Sequence, residues 1–266
     1  MTKKEHSTGD QLSLSLPYWP DHLRGVPWVA LRTALFAPVR RGARRAMQRE
    51  TLEAIADWKI TYTGFQLDQA DLDVYEHVLH LARRIPLGNI VEFRTRQMLE
   101  ELGRAQGKSQ REWLLKSLDR LQACAIEFKL GDVTYTGSLI QEQGRIDDAK
   151  GGGKHYVRLN PKLSSLYDHG YNTINWEARK ALGSNQLAKW LHNFVVTLRK
   201  PLTFPIAKLM ALSNSHYERP RDFRAALDEA AALLVPLGVN LILQWDTRRG
   251  NVTLSLGKAD EGAQGG

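Results

Sequence analysis

The sequence predicts an α+β chain made of two winged-helix units in tandem behind a flexible N-terminal arm, and three observations carry that prediction. The order helix, strand, helix, turn, helix, two-stranded ribbon is written twice between Leu72 and Leu256. The third helix of each copy carries an apolar stripe on one side and cations on another. The length, 266 residues, leaves room for two modest cores at roughly 100 to 150 residues each.

Residues 1–27 are expected to form the arm, 28–170 the first unit, 171–257 the second and 258–266 a frayed tail. The cluster Arg40, Arg41, Arg44, Arg45 and Arg49 reads as a solvated face or as a phosphate contact on an irregular or helical stretch. In the first unit Leu72, Tyr75, Val78, Leu79, Ala82 and Ile85 recur at helical spacing, and GNIVEF follows as a strand. A second helix covers 95–102, with Thr95 as N-cap, and a glycine turn at 103–107 leads to a third helix at 109–123. AIEFKL and VTYTGSLIQ, joined at Gly131 and Asp132, close the unit as its ribbon. HYVRLN extends the sheet, with DAKGGGK before it as a hairpin tip. In the second unit a helix at 184–199 precedes the strand PLTF and a short helix at 205–212 with Pro205 in its first turn. A long helix at 220–234 and the strands VNLILQW and NVTLSL, joined by DTRRG, complete it.

Charge points to the partner. Lys and Arg number 37 against 29 Asp and Glu, a formal charge of +8, and the pI is about 9.6, the footprint of a protein that binds a polyanion. A content of 42% hydrophobic and 25% charged residues excludes wholesale disorder. Plotted at helical spacing, Leu114, Leu118 and Leu121 face inward, opposite Ser109, Lys116 and Arg120, with Lys108 and Arg111 in the first turns. In the second unit Phe223, Leu227, Ala230 and Leu234 face inward, Arg221, Ala225 and Asp228 outward, with Arg224 on the flank and Arg219 just ahead. A duplex major groove admits one such helix, and arginine forks onto guanine. Arg248 and Arg249 stand at the second ribbon's tip, where a wing reaches phosphate or a minor groove. Two such helices in successive grooves cover roughly two turns of duplex, a direct and asymmetric site.

No enzyme chemistry is expected. GRAQGKS has three residues between its glycines where a phosphate loop needs four, so it reads as a turn. His77 and His80, beside Glu76, lack an HExxH pattern and a cysteine partner and read as polar side chains facing solvent. Asp147 and Asp148 lie in a flexible tip unsuited to holding two metals. Neither metal nor cofactor is expected. The lone Cys124 reads as core packing and rules out an internal disulfide. The start MTKKEHSTGD lacks the apolar core of a signal peptide, and no apolar run approaches a membrane span, so a cytoplasmic location is expected.

Gln11, Leu12, Ser13, Leu14, Ser15 and Leu16 read either as a first strand or as a linear docking peptide. The stretches LPYWPDHLRGVP, ITYTG, PLGNIVEF and SLDRLQACAI resemble the TrfA family of plasmid replication initiators, over about residues 11 to 200. The resemblance implies two winged-helix domains that bind double-stranded iterons at the origin and melt adjacent duplex, which offers single-stranded origin DNA as a further ligand. It also implies recruitment of the host replicative helicase and initiator in the bacterial cytoplasm, by a DNA-bound monomer whose homodimer is inactive. QLSLSL is similar to the six-residue peptide that docks on the bacterial sliding clamp, with Gln11, Leu12, Leu14 and Leu16 as the matching positions. A transcriptional repressor with two winged helices and no replisome contacts is the rival reading.

Overall fold

Apolar residues near the start of the chain already belong to the core. Leu16 and Trp19 are 5% and 1% exposed, and Trp19 Nε1 donates to His80 Nδ1 at 3.1 Å. The expected flexible arm of residues 1–27 is therefore shorter than predicted: its second half is packed, because one tryptophan and one leucine bury enough apolar area to hold it. The structure, a computed structural model, describes residues 15–39, 44–55, 58–130, 133–146 and 154–257.

In chain order β1 (Leu23–Pro27) precedes α1 (Trp28–Leu31), the two-residue β2 (Phe36–Ala37), β3 (Ala46–Leu52), β4 (Lys59–Phe65) and the two-residue β5 (Leu67–Asp68). Next come α2 (Gln69–Ala82), β6 (Ile90–Arg94), α3 (Thr95–Glu101) and α4 (Lys108–Ala123). They are followed by β7 (Ala125–Leu130), β8 (Val133–Gly137), β9 (Glu142–Ile146) and β10 (Lys154–Arg158). Then α5 (Ser164–Asp168), β11 (Tyr171–Asn175) and α6 (Trp176–Ala181) lead into α7 (Gln186–Val195) and β12 (Leu202–Pro205). The described fold closes with α8 (Ile206–Ser213), α9 (Pro220–Ala232), β13 (Leu241–Asp246) and β14 (Asn251–Leu256).

Helix α2 starts at a capping box in which the Asp68 side chain accepts from the Asp71 amide and Asp71 answers the Asp68 amide. It is buried nearly all round, which makes it the central post of the first unit. The first winged helix is α2, β6, α3 and α4 with β9 and β10 as its ribbon, and the sheet runs β6-β10-β9. The ribbon expected from AIEFKL and VTYTG is corrected here. Those strands, β7 and β8, do pair with each other, Phe128 opposite Tyr135, but they join a separate sheet ordered β3-β4-β7-β8. Register explains the choice: Ile60 and Tyr62 on β4 lie opposite Phe128 and Ile126, and all four are buried, so the matched apolar faces fix the pairing. Of the described arginines of the cluster, Arg44 and Arg45 lie in irregular backbone just before β3 and Arg49 lies in β3, so the cluster is not helical there; Arg40 and Arg41 lie outside the described residues.

The second unit follows the predicted order, with its sheet running β12-β14-β13. Pro220, not Pro205, occupies a helix first turn; Pro205 sits at the N-cap of α8. The first core extends from Leu16 to Trp176 and the second from Leu182 to Leu254. The boundary thus falls after the expected residue 170, because β11 pairs with β1 and stays with the first unit. Cys124 is 4% exposed, as expected of a packing residue, and burial pushes its thiol up to about 11.

Candidate nucleic-acid interface

Leu114, Leu118 and Leu121 fasten α4 to the first core at no more than 1% exposure each. That anchoring turns Lys108, Ser109, Arg111, Leu115 and Lys116 to solvent. Gly107 precedes the helix at φ +147°, a backbone position that favours glycine and brings the chain sharply into α4. Arg104, in the same turn, lies 3.4 Å from the centroid of the Trp113 ring.

Arg120 departs from the prediction. Its Nη2 lies 2.6 Å from Asp71 Oδ1, and its side chain is only 15% exposed. Asp71 also takes Ser117 Oγ–H at 2.6 Å and Arg44 Nη1–H at 2.8 Å. Burial by itself would raise the Asp71 carboxyl, but Arg120 and Arg44 hold it below its ordinary value. A carboxylate without solvent needs these cations, so Arg120 faces inward while Lys116, one turn away, stays exposed.

Beside α4 an open groove of about 780 Å³ runs between the helix and the ribbon. Arg111, Leu115, Asp119 and Gln122 form its helical wall, and Arg94, Arg96, Arg145 and His155 stand across from them. Asp119 accepts from Gln143 Nε2 at 2.8 Å, which ties helix to ribbon. Arg94, Arg96 and Arg111 are exposed and form no ion pair with another described residue. The sequence reading includes Arg111 and misses the other three groove cations. Arg94 and Arg96 flank a predicted strand-to-helix junction, so that signal was present; Arg145 could be found only by assigning the ribbon to β9 and β10.

In the second unit Phe223, Leu227, Ala230 and Leu234 are buried at 1% or less, which leaves Arg219, Arg221 and Ala225 exposed at the start of α9. Arg224 lies over the Trp245 ring at 4.9 Å, and its Nε stands 3.9 Å from Asp228. Trp245 Nε1 donates to Asp228 Oδ1 at 2.9 Å, so Arg224 and Asp228 bind α9 to β13. Arg248 and Arg249 occupy the exposed turn of the ribbon, where Asp246 Oδ1 accepts from the Arg249 amide at 3.1 Å.

The docking-peptide positions divide. Gln11, Leu12 and Leu14 lie outside the described residues, whereas Leu16 is in the first core. Its reading as a clamp-docking position is corrected, because the side chain is buried at 5% in the first core and so is not offered to a partner. His77 and His80 are likewise buried at 4% and 7% instead of lying on the surface, with their rings stacked 5.9 Å apart. Among the described residues no group of three His, Cys, Asp or Glu could hold a metal ion, and no helix is long and apolar enough to cross a membrane.

Two three-helix units, each with a ribbon and an exposed cationic helix start, define a tandem winged-helix protein. The same fold recurs in crystal structures of domains 2 and 3 of RctB. One aligns at a TM-score of 0.55 and 12% identity, covering 85% of this chain and 95% of that one; another aligns at 0.50 and 11%, covering 83% and 92%. The sequence matches the TrfA protein family over residues 2–242, and the chain belongs to that family. It is 28% identical over 229 residues to the plasmid replication initiator protein TrfA of Escherichia coli, covering 83% of this chain. The match spans 59% of the length of that relative.

Proposed function

We propose that this protein initiates plasmid replication by binding repeated duplex sequences at the origin, with α4 and α9 each seated in a major groove. The observation that carries the reading is the pair of exposed cationic helix starts in a TrfA family member: Lys108, Ser109 and Arg111 in one unit, Arg219 and Arg221 in the other. Arg221 forks onto a guanine and Ala225 permits close approach, while Lys116 and the groove cations Arg94, Arg96 and Arg145 grip phosphate. Arg248 and Arg249 reach a phosphate row or a minor groove. The two units differ in sequence, so the site is an asymmetric direct repeat and a monomer suffices to read it, the homodimer being inactive. Binding opens adjacent duplex to single strands and brings the host helicase and initiator to the bacterial plasmid. The sliding clamp is held by Gln11, Leu12 and Leu14, with Leu16 anchoring that peptide to the core.

Nuclease footprinting on the origin of the encoding plasmid tests the reading. Direct repeats, each protected over about two helical turns, are the expected result; equal binding of repeat and scrambled duplex overturns it. A replication assay separates initiator from repressor. Gln11→Ala with Leu12→Ala should abolish plasmid maintenance while DNA binding persists, and normal maintenance would favour a repressor.

A further inference from the structure

Between the two cores lies a knot of buried charge centred on Arg179 of α6, which is 0% exposed. Its Nε stands 2.7 Å from Asp73 and 3.1 Å from Glu76, both on α2. Its two Nη groups donate to the Lys189 carbonyl on α7 and to the Gln69 carbonyl and side-chain oxygen on α2, each at 3.1 Å. The second Asp73 oxygen takes Lys189 Nζ at 2.6 Å, and the second Glu76 oxygen takes Asn193 Nδ2 at 2.9 Å. One more bond crosses nearby, from the Gln69 amide to Gln186 Oε1 at 3.0 Å.

The helices so joined are the first helices of the two units, and each packs directly on its own third helix, α2 on α4 and α7 on α9. A rigid path therefore runs from one cationic helix through Arg179 to the other. Apolar side chains of similar volume would join two cores at least as stably, because buried ion pairs must first lose their water. What a forked guanidinium adds is direction, since Nε and both Nη groups donate to acceptors at fixed angles.

We propose that Arg179 is a positioning residue that sets the spacing and rotation between α4 and α9, and so selects the separation of the two half-sites this protein binds. The inference rests on the duplex-binding reading above. Its test uses the full chain and the duplex footprinted on the encoding plasmid. Affinity is measured for the intact site, for the site with five base pairs inserted between its halves, and for each half alone. Five pairs turn one half about half a helical turn away from the other.

The wild type should lose about 100-fold or more on insertion, the loss expected when two linked modules no longer engage together. The variant Arg179→Met with Glu76→Gln removes the guanidinium together with the carboxyl group beside it. It should bind each half within about twofold of wild type, yet lose less than about tenfold on insertion, because its units rotate more freely. Lys208 with Glu53, and Asn172 Nδ2 donating to the Val196 carbonyl at 2.9 Å, keep the units attached in that variant. Arg179→Lys, which keeps the charge without the fork, should fall between the two. A merely structural role would lower affinity for whole and half sites alike. An insertion penalty unchanged in the variant overturns the proposal, as does a wild type indifferent to insertion. A wild type that fails to distinguish repeat from scrambled duplex defeats the functional reading instead. If the double variant does not fold, Asp73→Asn with Lys189→Met removes the neighbouring pair and is read by the same two outcomes.

Discussion

In the second unit the ribbon follows its cationic helix directly, with only a short 3-10 helix (Val235–Leu237) between them, and Arg224 lies against that ribbon through Trp245. In the first unit β7 and β8 come between α4 and its ribbon, β7 pairing with β4 from much earlier in the chain, and Arg120 is drawn inward to Asp71. The two third helices look alike in sequence, with cations spaced around an apolar stripe. They differ because the first also serves a sheet and a buried carboxylate that the second lacks. A basic helix face therefore counts the cations available; the elements packed against the helix decide how many remain for a ligand.

The sharpest way to break this comparison is to remove the carboxylate. Asp71→Ala leaves Arg120 without its carboxylate and Arg44 with Asp68 alone, opens a capping box, and should lower the unfolding free energy by about 3 to 5 kcal/mol in chemical denaturation. Arg120→Ala should also lose stability while the folded protein keeps its DNA affinity. A loss of affinity without a loss of stability would return Arg120 to the interface.

Leu16→Ala should cost about 2 to 5 kcal/mol, because a core leucine leaves a cavity. Unaltered denaturation with weakened clamp binding would place Leu16 in the docking peptide after all.

Acid should weigh on the first unit. Burial, with Arg24, His80, Arg83 and Lys180 nearby, drives His77 down to about 3, so the folded state refuses a proton that the unfolded chain accepts below about 6.5. Stability from His77 is present above that value and is lost at about 1.4 kcal/mol per pH unit as pH falls towards 3. His80, also near 3, works in the same direction. Glu76 opposes them: burial raises its carboxyl to about 7 despite Arg179, so acidification relieves it between about 7 and its unfolded value. His77→Gln should flatten the fall in melting temperature between pH 6.5 and 5, and an unchanged slope would remove the histidine from the account.

The smallest effects belong to single exposed cations. Arg221→Ala should cost about 1 to 3 kcal/mol on the cognate repeat and relax base choice at one position. Arg96→Ala should weaken all sequences alike and reduce the salt slope by about 0.9. Gel-shift titrations at several salt concentrations separate the two, and a sequence-dependent loss at Arg96 would mean that the groove reads bases.

Helical faces are legible in a single sequence because 3.6-residue periodicity is local. Leu114, Leu118 and Leu121, and equally Phe223, Leu227 and Ala230, declare their inward side without any knowledge of their partners. The second unit is legible almost throughout, since its ribbon strands are neighbours in the chain. Strand partnership in the first unit is not: β7 reads equally well as a wing or as the partner of β4, and only the buried faces of Ile60 and Tyr62 decide it. The site divides in the same way. Arg111, Arg219 and Arg221 follow from helix geometry, whereas the engagement of Arg120 depends on a carboxylate on another helix, and the groove cations depend on which strands form the ribbon. Arg179 gives no local signal; a charge in a short helix ordinarily faces water.

The strand β1, Leu23–Pro27, finds its partner only at Tyr171–Asn175. During synthesis the opening segment must therefore wait for most of the first unit to be translated before its hydrogen bonds can form. The pairing of Leu23–Pro27 with Tyr171–Asn175 thus closes the first unit upon itself, the later strand fastening the earlier one like a clasp.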